Sequence, residues 1–471
     1  MKKLLSLFLA VVMILSLCAC GGSGSGNGEE AKVDNSLEVG YGKINITPNY
    51  SVGLGGSGND KIRRSTGMVS YVFAICVALR SAGETYLLFS VDTLSINDNL
   101  ADQLRLEIIT EMPDLKPENI YLMATHGHSC PTPYWPDENE GKYRQEFFKW
   151  IPQAAKAAIN DLAPATMELA QFELEGMNFV RHYIMNDGTY AGSNFGDTAS
   201  GYKEHTYEVN HEAILVNFKR EGKDDVLLTN WAAHPANPYD KAIGNLNISA
   251  DHPGWCREEL EKLTGKKVAY FNGASGDVVP NSQIKEINHG LDAKQYGIKL
   301  AQIMNEHLGE LKPLEIDTVK AAQQVVNCTV EHEGEELLAQ CMEITYVRWT
   351  ENNRTKGNQM ARDIGLSSAY HASAIISRSK LGASQPRTLN VFRIGPVSFT
   401  TGTYEMASEH AGEVKAASPF EFTFQICGNS KYIPREEAID YQSYEGTNRP
   451  YVRETGDMLV AKYIEMLESI K

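Results

Sequence analysis

Residues 86–91 and 120–124 are short apolar runs, and between them Leu100, Leu104 and Ile108 recur at helical spacing. Strand, helix, strand in that order constrains this chain more than any other feature, because two strands joined through a helix lie parallel in one sheet. Residues 214–218 and 226–231 flank Arg220-Glu221-Gly222-Lys223-Asp224-Asp225, which predicts a hairpin with a polar turn. Residues 251–263 read as a helix capped by Ser249 or Asp251, with a strand following at 268–271. Further helices are expected at 291–308, 359–379 and 457–470. Strand–helix units mixed with hairpins imply an α/β (α+β) fold with a mixed sheet. A chain of 471 residues has room for several domains, but it shows no internal repeat and no second low-complexity linker. One large domain over residues 37–471 is expected.

The first residues are read apart from the fold. Lys2 and Lys3 precede an apolar run from Leu4 to Leu17 that is short for a membrane span, which predicts a secretion signal over residues 1–19. Leu17-Cys18-Ala19-Cys20, followed by a Gly/Ser run, resembles a bacterial lipoprotein processing site with Cys20 as the acylated residue. Residues 20–36 then form a flexible tether, and the protein is expected to be extracytoplasmic and anchored to a membrane through Cys20. The net charge of −16 argues against binding to nucleic acid and against attachment to an anionic membrane by general electrostatics. No protein partner is expected. Beyond the tether stand Cys76, Cys130, Cys256, Cys328, Cys341 and Cys427, with no C-x-x-C pair. Buried free thiols are expected, and no disulfide is assigned.

Thr125-His126-Gly127-His128-Ser129 directly follows the strand at 120–124. In extended backbone, residues two apart project to one side, so both imidazoles can face one point at the strand's carboxyl end, where clefts in α/β sheets gather. Neutral imidazole is a zinc ligand, and Gly127 permits a close approach. Trp231-Ala232-Ala233-His234-Pro235 places another histidine at a strand end. Zinc needs three or four ligands from separate segments, which two such sites begin to supply. Glu405, after an apolar strand at 397–401, and the phenols Tyr432 and Tyr444 are bland on their own: a first-turn helix residue and packing tyrosines would look the same. Gly53-Leu54-Gly55-Gly56-Ser57-Gly58 fits G-x-G-x-x-G, but no amphipathic helix follows, so it reads as a loop. Gly273-Ala274-Ser275-Gly276 lacks the spacing of a nucleophile elbow, which disfavours serine hydrolysis. Residues 436–437 and 454–471 read as a solvated face.

Taken in order, Gly40-Tyr41-Gly42-Lys43-Ile44-Asn45-Ile46-Thr47-Pro48, His126-Gly127-His128-Ser129, Trp231-Ala232-Ala233-His234-Pro235, Ser249-Ala250-Asp251, Gly273-Ala274-Ser275-Gly276-Asp277, Glu405 and the segment from Tyr432 to Tyr444 resemble the neutral/alkaline non-lysosomal ceramidases over residues 38 to 450. That family holds one catalytic zinc with two histidines, a glutamate and a tyrosine. The resemblance implies His126, His234, Glu405 and Tyr432 as zinc ligands. It also implies His128 as the residue that orients water or stabilises the oxyanion and then protonates the leaving amine, with Arg181 and Tyr444 facing the substrate. The implied reaction is hydrolysis of the N-acyl amide of ceramide or a ceramide-like lipid by zinc-activated water.

The chain departs from the family at positions that bear on substrate. Val279, in Asp277-Val278-Val279-Pro280-Asn281, stands where the family has a serine that bonds the lipid head. Cys130 and Thr132 replace glycines, and Thr403-Tyr404-Glu405 replaces Pro-Gly-Glu. The chain ends at Lys471, so the family's C-terminal immunoglobulin-like domain is expected to be missing. Two alternatives stay open: a zinc hydrolase of another amide or of an ester, and a non-catalytic solute-binding lipoprotein.

Overall fold

The computed structural model describes residues 36–56, 63–134, 138–193, 195–236, 246–426 and 431–471. The expected signal segment, Cys20, the Gly/Ser run and Cys427 lie outside them. Among the described residues the largest sheet has nine strands. Its first half comprises β1 (Glu38–Asn45), β2 (Phe73–Ser81), β3 (Glu84–Val91) and β4 (Ile120–Ala124). Its second half comprises β5 (Ala163–Glu173), β6 (Glu212–Arg220), β7 (Val226–Trp231) and β8 (Lys267–Asn272), with short β9 (Lys312–Leu314) beside β5. The order across the sheet is β8-β7-β6-β5-β1-β2-β3-β4.

Neighbours run antiparallel except at the two ends, where β3 pairs with β4 and β7 with β8 in parallel. Each parallel pair is joined through a helix, α1 (Asp98–Glu111) at one end and α3 (Asp251–Thr264) at the other, as parallel pairing requires. The expected hairpin is β6–β7, with Phe218 opposite Val226. The sheet rolls until its ends meet: Ser90 Oγ of β3 donates to the Tyr270 carbonyl of β8 at 2.5 Å, and the Tyr41 hydroxyl of β1 donates to the Val268 carbonyl at 3.0 Å. This rolling brings the carboxyl ends of both parallel pairs to one place.

Alternation along the strands decides what fills the roll. Ile75, Val77, Leu88, Val216, Leu228 and Phe271 point inward, against Phe392, Phe399 and Phe424 of a second, four-stranded sheet. Leu100, Leu104 and Ile108, at the spacing seen in the sequence, bury α1 on the other face of β2–β4 together with α2 (Glu138–Asn160). The opposite end is covered by α3 and α4 (Ala293–Glu306), whose start is fixed by a capping box between Asp292 and Gln295.

The second sheet runs β10 (Val319–Thr329), β11 (Ser384–Ile394), β12 (Val397–Gly402), β13 (Phe422–Ile426). Helices α5 (Glu335–Thr345), α6 (Arg354–Asp363) and α7 (Ala369–Ser379) lie between β10 and β11. The single helix expected over 359–379 is therefore two. Gly365 takes φ 83°, donates to the Arg362 carbonyl at 3.0 Å and reverses the chain there. A third parallel pair, β12 with β13, is joined through α8 (Ser408–Ala417). The C-terminal α10 (Thr455–Ser469), preceded by the short α9 (Tyr444–Asn448), differs from the expected solvated face: Leu459, Tyr463 and Leu467 pack into a cluster with Leu389 and Val391 of β11. Cys76, Cys130, Cys256, Cys328 and Cys341 are buried free thiols, as expected. No helix among the described residues is long and apolar enough to cross a membrane.

Candidate metal centre

The chain leaves β4 at Ala124 and turns rather than continuing extended. His126 takes φ 66°, a left-handed conformation that a side chain enters at a cost of about 1–2 kcal/mol. The imidazoles of His126 and His128 are therefore presented by a turn, not by the strand alternation expected from the sequence. Three contacts hold the turn. Thr125 Oγ1 donates to Asp92 Oδ1 at 3.2 Å, His126 Nδ1 donates to the Leu94 carbonyl at 2.8 Å, and the Ser129 N–H donates to Asp251 Oδ2 at 2.9 Å. Asp251 thus moors the turn instead of capping α3, and it too has a positive φ, 49°. The closeness read from Gly127 is real but internal: a Cβ there would lie 2.2 Å from Cys130 Sγ.

His128 donates from Nδ1 to the Gly56 carbonyl at 2.7 Å, and a Cβ on Gly56 would lie 2.2 Å from that same nitrogen. The glycine run read as a loop is what admits this ring. His234 sits three residues beyond β7; its N–H donates to the Val278 carbonyl at 2.9 Å and its Nδ1 to the Ser275 carbonyl at 3.1 Å.

A carbonyl can only accept, so each of the three Nδ1 atoms carries the proton and each Nε2, in a neutral ring, presents a lone pair. Those lone pairs meet. Nε2 of His128 and of His234 are 2.8 Å apart, the three ring centroids lie 4.6–5.1 Å from one another, and one ligand atom of each ring falls within 4.8 Å of the others. Nε2 of His126 is buried with no hydrogen-bond partner among the described residues, 3.4 Å from Glu405 Oε2, which has none among them either. Burial first, then the neighbouring His126, holds His128 well below the ordinary imidazole range, and burial with Arg181 does the same for His234. Buried acceptors facing one another in this number repel unless a cation sits among them. An imidazole and carboxylate set suits a divalent zinc, and the carbonyl behind each Nδ1 is the outer partner that orients such a ligand.

Glu405 reaches the cluster by a two-residue ribbon beyond β12, in which Glu405–Met406 pairs in parallel with Tyr432–Ile433. Glu405 lies opposite Tyr432, so the two are neighbours despite their separation in sequence. The Tyr432 hydroxyl is 3.4 Å from Arg181 Nη2, whose guanidinium carbon stands 5.7 Å from the Tyr432 ring and 5.5 Å from the Tyr444 ring. Burial, then Glu405, raises the Tyr432 phenol well above its usual range. All seven site residues read from the sequence, His126, His128, His234, Glu405, Tyr432, Arg181 and Tyr444, are therefore brought together; Cys20 lies outside the described residues. Val279 lies one strand away from Arg181, paired with Phe179 in the Val278–Val279 ribbon. Cys130 and Thr132 are buried.

Reading the sequence missed the residues behind the ligands. Asp92, at the end of β3, is clamped by Arg257, and Glu445, next to Tyr444, pairs with Arg181. Only position marks the first, a carboxylate one residue past an apolar strand. A second group, His410, Glu413 and Asp457, has its ligand atoms equally close, but Arg435 pairs with Glu413 and already supplies the cation.

No family model matches the chain, and no curated protein matches it. Among solved structures it is similar to neutral ceramidase from Pseudomonas aeruginosa, at 16% identity and a TM-score of 0.69, over 92% of this chain and 74% of that one. It is also similar to a ceramidase complexed with C2, at 15% identity and a TM-score of 0.67, over 92% and 75%. The fold implied by the sequence resemblance is thus the fold observed: this chain is built as the neutral ceramidases are.

Proposed function

We propose that the chain is a zinc-dependent amidohydrolase that cleaves the N-acyl amide of ceramide or a ceramide-like lipid. One observation carries the reading: the Nε2 lone pairs of three imidazoles converge with a Glu405 oxygen that has no hydrogen-bond partner among the described residues. His126, His234, Glu405 and Tyr432 would hold the zinc. Zinc bound there lowers the pKa of water towards neutrality and polarises a carbonyl. His128 is the most exposed of the three histidines; its Nε2 takes a proton from the attacking water and returns it to the leaving amine. The Tyr444 hydroxyl donates to the amide oxygen as charge develops on it, and Arg181 stands beside it as the fixed positive charge. The residues before Leu37 support an extracytoplasmic lipoprotein anchored at Cys20, and the acidic net charge supports a neutral rather than an anionic lipid substrate.

The Val279 side chain offers no hydrogen bond to a polar lipid head. Release of fatty acid from N-acyl amides of varied head group tests the reading. We expect turnover of at least one, and Val279→Ser raising the rate on ceramide. Failure to cleave any of them contradicts the amidase reading, and an unchanged Val279→Ser rate points to a different head group.

A further inference from the structure

Arg181 is 7% exposed, yet it is one of the charges nearest the candidate centre. A guanidinium so placed needs a carboxylate, and its ion pair among the described residues is with Glu445, itself 2% exposed. Glu445 is held from behind. Its Oε2 accepts from His182 Nε2 at 2.5 Å, and His182 Nδ1 in turn accepts from the Tyr441 hydroxyl at 2.7 Å. The pattern sets one tautomer, with the His182 proton on Nε2, and assigns one carboxylate oxygen to His182 and the other to Arg181. Aromatic packing fixes the assembly: Phe195 meets the edge of the His182 ring at 5.8 Å, and Tyr190 stacks on Tyr441 at 4.7 Å. Burial alone would raise the Glu445 carboxyl, but Arg181 and His182 outweigh it and hold it at about 2, so the pair stays ionised. The nitrogen that pairs with Glu445, Arg181 Nη2, also donates to the Gly276 carbonyl at 2.6 Å and reaches the Tyr432 hydroxyl, while the Arg181 Nε is buried with no hydrogen-bond partner among the described residues.

We propose that Tyr441, His182 and Glu445 form a relay, buried at His182 and Glu445, that positions Arg181 between Tyr432 and Tyr444, making Glu445 and His182 positioning residues for the reaction. The proposal rests on the amidase reading. A relay of this kind acts on turnover through one guanidinium and has no direct hold on the metal. It also gives the short α9 a role, since that helix delivers Tyr444 and the carboxylate that orients Tyr444's neighbour Arg181 as one rigid unit.

A double-mutant cycle tests it. Glu445→Gln should lower kcat by about 10–100-fold, with KM changed less than about twofold and zinc content unchanged. In an Arg181→Met background the same substitution should change kcat less than about twofold, because the residue it acts through is gone. Tyr441→Phe, which removes only a hydroxyl, should fold and give a smaller loss of the same kind. Melting of the four proteins of the cycle reads the pair without any substrate: each single substitution should lower the melting temperature by more than its share of the double. An active wild type whose kcat losses multiply in the double variant overturns the positioning role. Melting losses that add overturn the pairing itself. A wild type without amidase activity, with melting still coupled, overturns the amidase reading and the positioning role with it, and leaves the buried pair standing.

Discussion

His126→Ala and His234→Ala should each yield protein that retains no zinc and no hydrolytic activity. Each removes one of the converging Nε2 lone pairs and leaves the remaining acceptors too few for a stable site. His128→Ala should behave differently, keeping zinc while losing turnover by about 10²–10⁴-fold, because it is read as the group that moves the proton. Metal analysis and single-turnover assays on the three variants distinguish these outcomes. Full activity in His126→Ala or His234→Ala would contradict the ligand assignment. Loss of zinc in His128→Ala would make the centre a three-histidine site instead.

Arg257→Met should be the most destabilising of the substitutions outside the centre. Asp92 and Arg257 are both fully buried, bonded in parallel at 3.0 and 2.8 Å, and Asp92 also accepts from the Phe73 N–H at 2.8 Å and from Thr125 Oγ1. Removing the guanidinium strands a carboxylate in the interior, which costs about 3–5 kcal/mol. Because Thr125 is the residue before His126, the loss should also loosen the turn that presents the imidazole. Chemical denaturation measures the first effect and zinc affinity the second. A change in stability below about 1 kcal/mol would mean that water reaches Asp92 and the clamp is not buried in solution.

What could be read in the sequence, and what could not, follows from the range of the interactions. β4 and the β6–β7 hairpin were legible because continuous apolar runs with polar turns depend on neighbours only, and the same runs exposed the histidines that follow β4 and β7. α2 was not legible: Pro152 interrupts its helical pattern, yet Tyr143, Phe147, Ile151 and Ala155 bury one face of it. Asp251 looked like a helix cap because its sequence context is that of one, but its carboxylate is taken by the Ser129 N–H. The adjacency of Glu405 and Tyr432 depends on a two-residue parallel ribbon, too short to leave a pattern, and only the family resemblance connected them. Glu445, His182 and Arg257 carry no signal in the sequence, since nothing local distinguishes a buried charge from a solvated one.

The central claim is that the acceptors around His126 require a cation, and the metal content of the purified wild-type protein tests it most directly. About one zinc per chain, removed by a chelator together with activity and restored with it on adding zinc, is the predicted result. Protein that binds no metal after incubation with zinc, or that hydrolyses an amide equally well with chelator present, would contradict it.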